Sequence, residues 1–113
     1  MAIEIAGAVM RVKGASAIID LSGDINAAAE ASLSAAYEQA SGSGSGTVVL
    51  NFAGVNYMNS TGIALVVGLL AKARQEQRTV KACGLSDHYR HIFEITRLAD
   101  FMPMFDREDD ALV

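Results

Sequence analysis

Short apolar runs punctuated by glycine and small polar residues set the pattern of this chain. "AVMRVKG" and "SAIIDLSG" are β-prone runs separated by Gly14 and Ala15, which predicts strands near 8 to 13 and 16 to 22 joined by a tight connection. "TVVLNF" at 47 to 52 is β-branched and almost uninterrupted, as a central strand covered by helices must be. "TVKACGL" at 79 to 85 reads as a further strand, and "FMPMF" as a last short one that Pro103 assigns to a sheet edge. Between the strands, "INAAAEASLSAAYEQA" is rich in helix formers and predicts a helix over about 27 to 40, with Asn26 as its cap. A second helix should open at Ser60 or Thr61, where "NYMNSTG" ends the central strand, and a third over about 87 to 96 with Ser86 as cap. "REDDAL" can add a final helical turn, and "SGSGSG" at 41 to 46 should be a mobile surface loop, since its residues cannot fill a core. The order β-β-α-β-α-β-α-β-(α) predicts an α/β fold. Its mixed sheet should have four to five strands, mostly parallel after an initial hairpin, packed with about four helices.

Composition narrows the function classes. With 113 residues, 51% of them hydrophobic, and one proline, the chain fits a single domain over 1–113 with a substantial core. The net charge is −4 and part of the acidity lies in "DREDDALV", so no basic face is available to follow a phosphate backbone and nucleic acid is not an expected partner. Cys83 is the only cysteine, which excludes an intramolecular disulfide and a cysteine zinc cluster; in its strand it reads as a small buried hydrophobe in a reducing, cytoplasmic setting. "MAIEIAGAVM" lacks the basic and long apolar regions of a signal peptide. No charged residue occurs from Gln39 to Ala71, yet the strongly apolar part runs only from Gly62 to Ala71, short of the roughly 20 residues a membrane span needs.

The chemistry concentrates at Asn59, Ser60, Thr61 and Gly62, between a strand's carboxyl end and a helix's amino end. Helix amino ends expose unbonded N–H groups and partial positive charge, which favour an anion or a phosphorylated side chain. Asn59 or Ser60 can equally serve as the helix cap. A nucleophilic Ser60 would need a base, but there is no G-x-S-x-G elbow and the two histidines, His88 and His91, follow a later strand, so the chain does not read as an enzyme. "NSTG" also lacks the lysine and spacing of a phosphate-binding loop. His88 and His91, with Asp87 beside them, have an i, i+3 spacing but make an incomplete metal set, and no metal or other cofactor is expected. On the second helix, Ile63, Val66, Val67 and Leu70 share a face expected to pack on the sheet. Leu65, Leu69, Lys72 and Glu76 form an opposite stripe, whose leucines either meet another helix or form a patch for a partner.

"TVVLNFAGVNYMNSTGIALVVGLLAKAR" resembles the centre of the STAS domain of bacterial anti-sigma-factor antagonists, where a strand ends in an aromatic-Met-Asp-Ser-Ser/Thr-Gly segment that opens a helix. "LSGDIN" is similar to that family's Gly-Glu-Leu-Asp turn, and "CGLSDHYRHIFEITRLADFMPMF" to its late helix and last strand. The resemblance implies a STAS-like fold and a partner-switching regulator, not an enzyme. In that family a partner kinase, itself the anti-sigma factor, phosphorylates the serine after the motif Asp, a phosphatase reverses this, and the phosphorylated form releases its partner. The acceptor position is Ser60 here. Asn59 stands where the family has its motif Asp, and Asn26 where the Asp ends the turn, while Asp24 keeps the other acidic position. The expected partner surface is therefore Asp24, Asn26, Asn59, Ser60 and Thr61 together with Leu65 and Leu69, on a cytoplasmic monomer or weak dimer that contacts no membrane. The alternative within the family is a non-phosphorylated scaffold or regulatory binding module, stressosome-like or transporter-associated.

Overall fold

Lys13 pairs with Ser16 across a two-residue turn, and Gly14 supplies the positive φ, 63°, that such a turn requires. This hairpin opens the fold in the computed structural model, which describes residues 7–112. Strand β1 is Gly7–Lys13, β2 Ser16–Ile25, β3 Thr47–Met58, β4 Thr79–Cys83 and β5 Met104–Phe105; helix α1 is Glu30–Gly42, α2 Ser60–Gln75, α3 Asp87–Ile95 and α4 Glu108–Ala111. Among the described residues five strands lie in the order β1-β2-β3-β4-β5, antiparallel between β1 and β2 and parallel thereafter, so β3 is central and β5 an edge, as the sequence predicts. The capping expectations hold as well: Asn26 accepts from the Ala28 N–H at a 3₁₀ turn, Ala27–Ala29, that leads into α1, and Ser86 accepts from the Tyr89 N–H at the start of α3.

Strand alternation divides the core. Ala17, Ile19, Leu21, Val48, Leu50 and Phe52 belong to the main core, with Leu33 and Tyr37 of α1, Val66 and Leu70 of α2, and Phe93 of α3. The Phe52 and Phe93 rings meet edge to face at 6.0 Å. The intervening Ile18 and Val49, with Cys83, form a smaller cluster capped by Ala111 of α4. Cys83 is fully buried there, and burial pushes its thiol up to about 11, which leaves it protonated and unreactive at neutral pH.

Arg11 fastens α4 to this second face. Its guanidinium donates to both Asp20 oxygens, at 2.7 and 3.1 Å, and to Glu108, while Asn51 donates to Asp20 at 2.9 Å. Arg11 therefore holds the Asp20 and Glu108 carboxyls below the usual carboxylate range. Because the folded values are lowered, this contribution is present above about pH 4, the ordinary carboxylate value, and is lost as pH falls through the folded values. Arg11 and Asp20 are 41% and 36% exposed, so solvent screening limits the pair to about 1 kcal/mol or less. Urea melts between pH 7 and pH 2 should show a shallower acid decline in Asp20→Asn than in the wild type; parallel curves would remove the pair from the acid response.

Besides β2, which runs on to Ile25 rather than ending near 22, the structure departs from the sequence reading in three places. Strand β3 does not stop near Phe52 but continues to Met58, through two register shifts against β2. Between the Asp20–Asn51 and Ser22–Gly54 pairs, and again between Gly23–Val55 and Asp24–Tyr57, β3 carries one residue more than β2, as β-bulges do. The "SGSGSG" stretch is not a free loop either. Ser41 and Gly42 finish α1, Ser45 is buried and hydrogen-bonded to Ser43, and Arg78 donates to the Ser41 and Ser45 carbonyls.

The third correction concerns the faces of α2. Leu69 is only 6% exposed and sits in the core, Leu65 is half-buried against it, and Val67, expected inside, is 42% exposed. Helix α1 is the reason, because it runs beside α2 and covers the flank where the leucine stripe lies. Tyr37 donates to Glu76 at 2.7 Å, Lys72 pairs with Glu38, and the Lys72 ammonium sits 5.4 Å from the centre of the Tyr37 ring. Burial and the neighbouring Glu76 push the Tyr37 hydroxyl up to about 12.

Candidate functional site

Parallel β2 and β3 end side by side, and the residues singled out in the sequence gather at that carboxyl edge. Ile25 pairs with Met58 and Asp24 with Tyr57, so Asp24 and Asn26 flank the point where β3 hands over to α2. The Asn59 N–H donates to the Ile25 carbonyl at 3.3 Å, tying the start of α2 to the end of β2. Such an edge, with a helix amino end on it, is where open α/β sheets place ligands.

Both asparagines are occupied by capping. Asn59 Oδ1 accepts from the Gly62 N–H at 2.8 Å, and Asn26 Oδ1 from the Ala28 N–H at 2.9 Å. Asn59 is thus the cap of α2, and Ser60, its first residue, is left exposed beside an exposed Thr61. Asp24 is also exposed. Among the described residues no histidine, lysine or carboxylate is hydrogen-bonded to Ser60. A hydroxyl at the positive end of a sixteen-residue helix can instead accept and carry a phosphate, whose charge the helix dipole favours. His88 and His91 are both exposed on α3, and no group of three metal-binding side chains occurs among the described residues.

Gly62 explains how the start of α2 approaches the end of β2 so closely. An ideal Cβ there would lie 1.9 Å from the Ile25 carbonyl oxygen, so only glycine fits against β2 at this contact. Sequence reading finds this glycine but cannot say what it touches.

Tyr89 is the residue that sequence reading missed. Its side chain, 7% exposed, comes from α3 and places its hydroxyl against Met58: it accepts from the Met58 N–H at 2.7 Å and lies 3.3 Å from the Met58 carbonyl, to which it donates. No local motif announces such a contact between residues 31 apart.

The expected leucine patch does not lie open beside Ser60. Leu65 and Leu69 instead line a groove of about 230 Å³ between α1 and α2, with Leu33 and Tyr37 opposite. The outward residues of α2 in line with Ser60 are Ala64, Val67 and Ala71, all exposed and uncharged. Among the described residues no helix is long and apolar enough to cross a membrane.

Comparison with known proteins agrees with this geometry. An anti-sigma-B factor antagonist of Staphylococcus aureus is 39% identical over 59 residues, 52% of this chain and 55% of that protein, so the chain spans about half the length of the curated relatives it matches. Two solved structures share the fold. An anti-sigma factor antagonist from Mycobacterium paratuberculosis has a TM-score of 0.80 at 18% identity, covering 96% of this chain and 92% of that one. The phosphorylated form of the Bacillus cell fate determinant SpoIIAA has a TM-score of 0.71 at 22% identity, covering 94% and 96%. The profile of the family described as "Mlab, STAS domain" matches residues 8–105, from β1 through β5, and the chain therefore belongs to the STAS domain family.

Proposed function

We propose that the chain is an anti-sigma-factor antagonist, a partner-switching regulator rather than an enzyme, that binds an anti-sigma factor serine kinase in the cytoplasm and is released when Ser60 is phosphorylated. The observation that carries this reading is the division of labour at the start of α2. Asn59 does the capping, which leaves the Ser60 hydroxyl exposed at the helix's positive end. The relatives' names and the phosphorylated form of SpoIIAA support the same reading. A phosphatase would restore the binding form. Asp24, Asn26, Thr61 and the exposed Ala64 and Val67 would surround the acceptor in the docked state. Leu65 and Leu69 would act from beneath, by keeping α2 on α1.

The absence of a carboxylate at positions 26 and 59 favours a second reading, in which the same surface binds a partner without being phosphorylated, as a scaffold or transporter-associated module does. Incubation with ATP and a candidate anti-sigma serine kinase, followed by mass spectrometric mapping, separates the two. Phosphate is expected on Ser60, and Ser60→Ala should abolish labelling. Labelling of Thr61 would move the acceptor by one residue, and stable binding without any labelling would leave the scaffold reading.

A further inference from the structure

Strand β4 pairs with β3 only as far as the Asn51–Cys83 pair, so the last seven residues of β3, Phe52–Met58, have no β4 residue beside them. Met58, at the end of that overhang, bonds to a side chain instead: the Tyr89 hydroxyl accepts from its N–H and donates to its carbonyl, at 2.7 and 3.3 Å. The next residue, Asn59, is tied on the opposite flank by its N–H to the Ile25 carbonyl. The turn that presents Ser60 is thus pinned from two sides, by β2 through Asn59 and by α3 through Met58. Tyr89 is itself aimed by the start of α3, where the Ser86 hydroxyl oxygen accepts from its N–H, and its ring is nearly fully buried.

We propose that Tyr89 is a positioning residue: its hydroxyl, rather than its ring, sets where Asn59 and Ser60 stand. The ring fills core space, as any buried aromatic does, and Tyr89→Phe preserves that filling while deleting both bonds to Met58. The Met58 N–H then loses its partner in a buried place, and the cost falls on the end of β3. This inference rests on the Ser60 reading only for its consequence in phosphorylation; the positioning itself is a property of the fold.

Hydrogen exchange on the 15N-labelled full chain tests it, with Tyr89→Phe against wild type. The Met58 amide should be protected in the wild type. In the variant, exchange at Met58 and Asn59 should rise about tenfold or more, while amides of Val48, Val49 and Leu50 in the same strand change little. A uniform rise across β3 would mean that the hydroxyl serves only global stability, and an unprotected Met58 amide in the wild type would mean that the bond is not formed; either overturns the proposal. Phosphorylation by an anti-sigma serine kinase adds a second reading. Asp24, Asn26, Ala64 and Val67 keep their places on the docking surface while Asn59 and Ser60 shift, so kcat should fall about tenfold or more and KM should rise by less, since a misplaced acceptor slows transfer more than recognition. A matched loss in KM alone argues against positioning. If wild-type protein is not labelled at all, the Ser60 reading fails by itself, and the exchange comparison still decides the role of Tyr89.

Discussion

Gly62→Ala should destabilise the protein by about 3 kcal/mol, while Gly68→Ala, on the same helix, should stabilise it by up to about 1 kcal/mol. Helix propensity alone favours alanine at both positions, because glycine in a helix interior loses more backbone freedom on folding. Packing reverses the sign at Gly62. A Cβ there would fall 1.9 Å from the Ile25 carbonyl oxygen and 2.7 Å from its carbon, and both are backbone atoms that cannot rotate away. Relief requires α2 to move off β2, which also breaks the 3.3 Å bond from the Asn59 N–H to the same carbonyl. At Gly68 a Cβ would meet nothing within 4 Å, so only the propensity gain remains. In thermal melts the first variant should lose roughly 10 °C and the second gain a few degrees. Equal shifts in the two would show that α2 does not approach β2 as closely as its geometry has it.

That pair of glycines also shows what can be read from sequence and what cannot. Local rules placed the hairpin, the caps Asn26 and Ser86, the central strand and the edge strand beside Pro103, because each depends on residues within one turn or one strand of it. They also placed Ser60 at a helix amino end, which is the chemically informative fact about the site. What they could not do is choose between neighbours. Helix α2 is apolar on most of its circumference from Ile63 to Ala71, so its periodicity does not single out one buried arc. Whether Leu69 or Val67 goes inside depends on α1 lying against one flank, a tertiary fact that only Tyr37, Glu38 and their contacts with Glu76 and Lys72 reveal. The continuation of β3 to Met58 was hidden for a similar reason. "AGVNYM" has little apolar alternation, and its strand character comes from pairing with β2 across two bulges. Ser45 looked like loop filler because nothing in its own neighbourhood indicates that Arg78 closes over it.

Under the proposed function, Ser60→Asp should weaken binding to an anti-sigma factor serine kinase about tenfold or more while leaving the melting temperature nearly unchanged. A phosphate brings about −1.5 to −2 charges at neutral pH, and aspartate imitates it imperfectly with one. At the first residue of α2 that charge faces the helix's positive end and solvent, so the isolated fold tolerates it. Docking changes the balance under that reading: a partner that covers Ser60 and the uncharged residues behind it, and brings no matched cation, must strip water from the carboxylate. The penalty therefore falls on the complex and not on the free protein. The corrected faces of α2 choose the companion variants. Val67 is 42% exposed in line with Ser60, so Val67→Lys should also weaken binding and keep the fold. Leu69, at 6% exposure among Leu33, Tyr37 and Val66, belongs to the core, and Leu69→Lys should unfold the protein before any question of binding arises. Calorimetric titration of Ser60→Asp and Val67→Lys against the kinase, beside melting curves of all three variants, reads each term separately. Wild-type affinity in both exposed-site variants would place the contact surface elsewhere on the domain, and a folded Leu69→Lys would mean that α1 does not hold that flank of α2 closed.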